Sequence, residues 1–399
     1  GVTGLSSRLG YTTRQLERLL QAEVGANPLA LARAQRTQTA RVLIETTELP
    51  FSDVAFAAGF SSIRQFNDTV REVYDATPSE LRGRRRGTPA HGTVTMRLAV
   101  RTPFAGRALL DYLAFHVVPG VEAAGPGWYA RTLDLPHGPG TVRLELDDAP
   151  TPGQTAFVAA EFRLHDLRDT TAAVERARRM VDADCDPTAV DDQFLGDAVI
   201  GPLVRRTRGL RVPGQADGDE TAVRTVVGQQ VSVTGARTVT GRLVASYGTP
   251  VDTDIPGLTH LFPSAATLAE VDPEELPMPR SRGRALTGLA RALADDDVAL
   301  DRGADREEVR AALLALPGIG PWTADYVAMR ALGHPDVFLP TDVGVRRAVA
   351  DLGHEPDRVI ADSERWRPWR SYALMHLWNT LMPAVPDTDP TDPTTSREN

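Results

Sequence analysis

The residues best suited to chemistry lie in the last third of the chain. Leu316-Pro317-Gly318-Ile319-Gly320-Pro321-Trp322-Thr323-Ala324 sets two glycines between helix-forming runs. A helix ending at Ala315 and another restarting at Thr323 make this a helix–hairpin–helix. Glycine lets a backbone approach an anion closely, and N–H groups at a helix start bind phosphate without any basic side chain. An ordinary Gly/Pro turn is the alternative; the full string with its Thr-Ala sequel favours the hairpin. Asp342 follows 22 residues after Gly320, in Phe338-Leu339-Pro340-Thr341-Asp342-Val343. Pro340 fixes the approach, and Asp suits the N-cap of a helix over 343–351. Alone, Asp342 reads as that cap and nothing more. Behind a phosphate-binding hairpin at this distance, a catalytic role becomes the better reading, and a carboxylate at a helix start can serve both roles.

The elements that must position these residues are legible from periodicity. Residues 1–82 hold a repeat of about fifty residues: Tyr11-Thr12-Thr13-Arg14-Gln15-Leu16 recurs as Phe60-Ser61-Ser62-Ile63-Arg64-Gln65-Phe66, with one residue inserted. Each copy predicts a short helix, a Gly-aromatic turn and an amphipathic helix behind a hydroxyl cap, hence two helix–turn–helix units. Their recognition helices are expected over 12–22 and 61–74. Arg14, Gln15 and Arg18 in the first, and Arg64, Gln65 and Asn67 in the second, are the candidate base or phosphate contacts. A basic Gly/Pro linker follows over 83–92. Strand-like runs at 94–101, 129–135, 141–147 and 156–164, with helices at 106–117 and 171–181, predict a small antiparallel α+β domain over 93–187. Helices at 220–247, 281–295, 306–315, 323–332, 343–351 and 369–381 predict a helical domain over 188–383. The Pro/Asp/Thr-rich stretch 384–399 predicts a disordered tail. The expected fold is therefore multidomain and mainly α.

Composition narrows the function. The single cysteine, Cys185, excludes a disulfide framework, a multi-Cys zinc site and an iron–sulfur cluster within this chain. Flanked by Asp184 and Asp186, its thiol is expected to have a raised pKa and a structural role. No lysine occurs, so all 44 basic residues are arginine, and no lysine amine can form a Schiff base with a sugar aldehyde. The net charge of −9 is uneven: residues 1–86 carry 12 Arg against 9 Asp and Glu, which leaves −12 for the rest. A net charge does not veto a local anion site. No apolar run reaches the ~18 residues of a membrane helix, and no signal peptide opens the chain, so no membrane partner and a cytoplasmic, nucleoid-associated location are expected. The chain opens Gly1-Val2, inside a helix–turn–helix, and reads as part of a longer protein.

The segment from Leu316 to Asp342, with Trp369-Arg370-Ser371-Tyr372-Ala373-Leu374, resembles the helix–hairpin–helix DNA glycosylase superfamily, and within it the bacterial 3-methyladenine DNA glycosylase II type. The resemblance spans about residues 93–382. Residues 1–82 separately resemble the DNA-binding domain of AraC-family regulators, and the combination is similar to Ada-type adaptive-response proteins. The resemblance implies that Asp342 is the essential carboxylate and that Trp322, Tyr326, Trp378 and Tyr112 form the base pocket. It implies that Gly318, Ile319, Gly320 and Thr323 form the phosphate-binding hairpin, with carbonyls of Leu314, Leu316 and Gly318 open to a sodium or potassium ion. Gln230 falls where the family inserts a wedge into the duplex, which is Leu in its best-known member. Thr341 replaces an acidic residue and Val343 an aromatic; both bear on substrate range and leave the reaction class alone. No cofactor is required, and zinc belongs only to the Cys-rich domain that precedes the regulator module in Ada-type proteins.

That resemblance implies a monomeric enzyme that flips alkylated bases out of double-stranded DNA and hydrolyses the N-glycosidic bond. The helix–turn–helix units are expected to bind promoter DNA. A ring-alkylated purine is cationic and leaves readily, so one carboxylate suffices, and indole and phenol faces attract it by roughly 0.5–2 kcal/mol each. Trp366, Trp369, Trp128 and His376 are expected to be packing residues. The competing readings are a transcription activator that recognises alkylated DNA without cleaving it, and a lyase-type glycosylase, which the missing lysine disfavours.

Overall fold

The structure, a computed structural model, describes Val2, Ser6 and residues 11–24, 26–47, 49–83, 93–301 and 303–383. The expected linker beyond Gly83 and the expected tail from 384 lie outside them. The chain forms two compact units, one of residues 1–97, 133–142 and 159–175, the other of 98–132, 143–158 and 176–399.

In the first unit, helices run over Thr13–Val24, Pro28–Thr46, Phe51–Ala57, Ile63–Tyr74 and Pro78–Gly83. Their starts follow from side-chain caps: Asn27 accepts from the Ala30 amide with Pro28 in the first turn, and Ser62 accepts from the Gln65 amide. Gly59, at φ +81°, makes the turn before Phe60 where a side chain would be strained. Leu43, Ile44, Val54, Phe66 and Val70 are fully buried, and Phe60 meets Phe66 edge to face at 5.6 Å. The short helix expected before the Gly59-Phe60 turn is Phe51–Ala57, while helix Pro28–Thr46, 19 residues long, lies between the two copies where the repeat predicts no element. Its inward positions include Thr37, Thr39 and Ala40, so no strong apolar stripe announces it.

One five-stranded sheet has the order β1-β5-β4-β3-β2, with β1 Thr93–Arg101, β2 Glu122–Gly125, β3 Trp128–Leu135, β4 Gly138–Glu145 and β5 Thr155–Leu164. β2 pairs antiparallel with β3, Glu122 opposite Arg131. At four residues β2 is too short to alternate visibly, and it was not expected.

The second unit contains two helical cores. Val223, Val226, Leu286, Leu289, Leu313 and Val327 belong to one; Phe194, Val204, Leu339, Val349, Trp366 and Leu374 belong to the other. Each such side chain contributes about 1.5–3 kcal/mol by leaving water. The helix expected over 220–247 is two, Gly218–Val227 and Val233–Tyr247. Ser232 caps the second by accepting from the Gly235 amide, and Gln230 sits between them at φ +56°. Apolar periodicity continues across the break, which is marked by Gly228 at the C-cap of the first helix and the cap chemistry of Ser232. No described helix is long and apolar enough to cross a membrane.

Candidate active site

Asp342 caps helix Val343–Asp351, its Oδ1 accepting from the Val345 amide at 2.8 Å. The same oxygen accepts from Trp378 Nε1 at 3.0 Å, and Oδ2 accepts from Trp322 Nε1 at 3.0 Å. A carboxylate offers about four acceptor positions. Three donors fix its orientation and leave roughly one position for another partner. Trp322 stacks on Tyr326 at 5.2 Å and 16°, and Tyr326 lies 6.1 Å from Trp378. All four side chains are half-buried and line a cleft of about 550 Å3 that also takes in Tyr112. The structure thus brings together the carboxylate and the four aromatics singled out in the sequence. Thr341 is exposed, and Val343, on the cleft rim, is 80% exposed.

The sequence reading missed the cation in this wall. Arg330 is 2% exposed, donates to the Tyr112 hydroxyl, and lies 5.0 Å from the Tyr112 ring centre and 5.8 Å from that of Tyr326. Its signal was present: positions 322, 326 and 330 repeat at four residues and share one face of helix Pro321–Arg330. Behind Tyr112, His116 stacks at 4.2 Å. Loss of solvent, then Arg330 and Arg224, push its pKa down to about 4, against the pull of its bond to the Tyr112 carbonyl.

Arg224 joins a buried network. Its Nη1 donates to Glu122 at 2.8 Å and to Glu220 at 2.9 Å, and its Nη2 to the His116 carbonyl at 2.9 Å. Arg131 pairs with both carboxylates, and the Tyr129 hydroxyl donates to Glu122 at 2.8 Å. Burial opposes the charge on Glu122, but Arg224 and Arg131 outweigh it and hold the carboxyl down to about 2.

His376 and Cys185 are packing residues. Burial, helped by Arg206, drives His376 down to about 3. Its folded pKa lies below the ordinary 6.5, so the unfolded chain binds the proton more tightly. The stability is present above about pH 6.5 and falls as pH drops towards 3, by up to about 1.4 kcal/mol per pH unit. Urea midpoints read by tryptophan fluorescence are expected to show this slope, and His376→Phe to flatten it; an unchanged slope would refute the assignment. Burial also pushes the Cys185 thiol up to about 12, and the charge that adds to the effect is Asp182 rather than the flanking Asp184 or Asp186. Trp366 is buried and donates to Asp197 at 2.9 Å, Trp369 packs edge to face on Tyr372, and Arg143 lies over Trp128.

Helix Arg306–Ala315 leads into the hairpin. Gly318 has φ +86°, and a Cβ there would lie 2.6 Å from Ala285 Cβ, so only glycine fits. A Cβ on Gly320 would meet nothing within 4 Å; that glycine leaves open space at the helix start. Pro321 begins the next helix two residues before the expected Thr323, because proline suits the first helical position. No side chain caps this helix, so its first-turn amides have no side-chain acceptor of the kind that closes most helix starts. Ile319 is buried and Thr323 is buried on the first turn. Of the carbonyls expected to hold a monovalent cation, that of Leu316 accepts from the Ile319 amide and that of Gly318 from Gln229 Nε2. Each of these two carbonyls keeps a second lone pair beside its donor. Among the described residues no cluster of His, Cys, Asp and Glu could hold a metal.

In the first unit, Arg14, Arg18 and Arg64 are exposed and Asn67 half-buried. Arg64 lies 3.8 Å from Asp68. Gln15 Oε1 accepts from the Thr12 amide and hydroxyl, and Gln65 Oε1 from those of Ser61. Both glutamines therefore spend one end on the helix start.

A glycine hairpin with an open helix start, leading to a capping carboxylate among indoles, defines the helix–hairpin–helix class of base-excision proteins. Comparison with known proteins agrees. Residues 223–370 match the model of the HhH-GPD superfamily base excision DNA repair protein, 95–217 that of the AlkA N-terminal domain and 5–84 that of a helix-turn-helix domain. The chain is 52% identical over 388 residues to the probable bifunctional transcriptional activator/DNA repair enzyme AlkA of Mycobacterium tuberculosis, covering 96% of this chain and 77% of that one. It is 34% identical over 281 residues to DNA-3-methyladenine glycosylase 2 of Escherichia coli, covering 70% and 94%. A solved 3-methyladenine DNA-glycosylase from Archaeoglobus fulgidus shares the fold, with TM-score 0.59 at 22% identity over 72% of this chain and 99% of that one. The chain belongs to the AlkA family of DNA repair glycosylases, in a form that carries a helix–turn–helix regulatory domain. It is a DNA-binding hydrolase of N-glycosidic bonds.

Proposed function

We propose that the chain, acting as a monomer, excises alkylated purines of the 3-methyladenine and 7-methylguanine type from duplex DNA and leaves an intact abasic strand. The observation that carries this reading is Asp342, held by two indole N–H groups and the Val345 amide at the side of an aromatic cleft. A positively charged base attracts the Trp322, Tyr326 and Trp378 faces by roughly 0.5–2 kcal/mol each. Departure of that base leaves an oxocarbenium-like sugar, and a fixed carboxylate stabilises it while water adds. The base must first leave the stack, at a cost of a few kcal/mol. The Gly318–Gly320 hairpin grips the backbone through amides, and Gln230 fills the vacated space. The cation site at Leu314, Leu316 and Gly318 is structural, and no cofactor takes part in the reaction. The helix–turn–helix module holds promoter DNA.

The test is base release from duplexes carrying 3-methyladenine, 7-methylguanine or no lesion. Release of the two alkylated bases is expected, with no protein–DNA adduct trapped by borohydride, since the chain holds no lysine. A trapped adduct, or no release from either alkylated duplex, overturns the proposal.

A further inference from the structure

We propose that Gln229 is a positioning residue that ties the duplex-entering loop to the phosphate hairpin, and so speeds eversion of a paired base without touching it. The inference rests on the base-excision reading of the cleft above.

Gln229 precedes Gln230 in the break between helices Gly218–Val227 and Val233–Tyr247. It is half-buried, and its Nε2 donates to the Gly318 carbonyl at 3.1 Å and to Thr323 Oγ1 at 3.0 Å. One acceptor lies on the hairpin turn and the other on the first turn of helix Pro321–Arg330. A single amide group thus reaches both parts of the anion-binding element. Among the described residues, no other side-chain hydrogen bond joins residues 228–232 to residues 316–323. The loop is tight on its own side: the Gln229 amide donates to Val226 at 3.2 Å and the Val231 amide to Gly228 at 3.4 Å. The exposed residue it presents, Gln230, has φ +56°, in a left-handed region that a glutamine occupies only when its surroundings impose it.

Eversion needs two grips at a fixed separation. The hairpin amides hold the sugar–phosphate backbone, and a side chain from the loop takes the place of the departing base. If the loop drifts relative to the hairpin, the backbone can be held while the gap stays unfilled, and the base returns to its stack. Glutamine has the donor that both oxygens need. Leucine offers no donor, and glutamate offers only acceptors, which the Thr323 hydroxyl can meet by donating but the Gly318 carbonyl cannot, so the link to the hairpin turn is lost in both.

The experiment uses the full chain and one alkylated base in two duplexes, paired with its normal partner in one and unpaired opposite an abasic site in the other. In single-turnover release, Gln229→Leu is expected to lose about tenfold on the paired lesion and to stay within about twofold on the unpaired one, whose eversion costs less. Gln229→Glu, which keeps the side-chain volume, is expected to show the same split. Stopped-flow fluorescence of 2-aminopurine beside the paired lesion is expected to rise more slowly in both variants, with unchanged melting temperatures. Equal losses on the two duplexes, or no loss on either, overturn the inference while leaving the assigned function standing. Failure of the wild type on both duplexes overturns the assigned function, and this inference with it.

Discussion

Asp342→Asn is expected to reduce single-turnover release of 3-methyladenine by at least about 10²–10³-fold, the scale of losing one preorganised electrostatic group at a reaction centre. The substitution separates chemistry from folding. Asparagine caps helices about as well as aspartate, so its side-chain oxygen can still accept from Val345. The Trp322 and Trp378 indoles, which now donate to opposite carboxylate oxygens, compete for one. The fold therefore persists while the negative charge disappears. Circular dichroism is expected to match the wild type, and binding to abasic-site DNA to remain. Release that survives the change removes the carboxylate from the mechanism, and with it the assignment.

The second large effect is on stability. Arg131→Met leaves Glu122 and Glu220 to share Arg224 inside the protein, all three side chains being at most 16% exposed. Removing one partner of a buried ion set typically destabilises by about 3–5 kcal/mol. The readout is specific: all five tryptophans, Trp128, Trp322, Trp366, Trp369 and Trp378, lie in the unit that holds this network. Tryptophan fluorescence in urea therefore follows that unit. Adding Glu220→Leu to Arg131→Met is expected to recover part of the loss, because it removes one carboxylate left short of partners. A midpoint that moves by less than about 1 kcal/mol equivalent would mean the network is replaceable at little cost. The same variant is expected to weaken the cleft wall, since Arg224 also donates to the carbonyl of His116, whose ring stacks on Tyr112.

How much was legible depends on how local each signal is. The hairpin was readable because glycine, proline and the helix propensities around them act over a few residues. Helix Arg306–Ala315 has its expected bounds and Val343–Asp351 begins at its cap. The break at Gln230 was missed because apolar spacing runs through it and outweighed its two local marks, Gly228 and Ser232. β2 was too short, and helix Pro28–Thr46 buries small polar residues that carry no periodic signature. Gln15 and Gln65 were read as surface contacts, and their engagement with Thr12 and Ser61 is a capping pattern that spacing alone could have shown.

What the sequence determined by itself is the chemistry at hand: one carboxylate at a helix start behind a glycine hairpin, aromatics on helical spacing, and no lysine or cysteine cluster to run another reaction. These are properties of residue type and short separation. The tertiary structure decided which groups meet. Trp322 and Trp378 are 56 positions apart yet both donate to Asp342. Arg330 enters the cleft wall through a partner 218 positions away, Tyr112, and Gln229 reaches the hairpin across 89. Such pairings follow from how buried faces dock, and docking depends on the summed packing of whole helices rather than on any window of the chain.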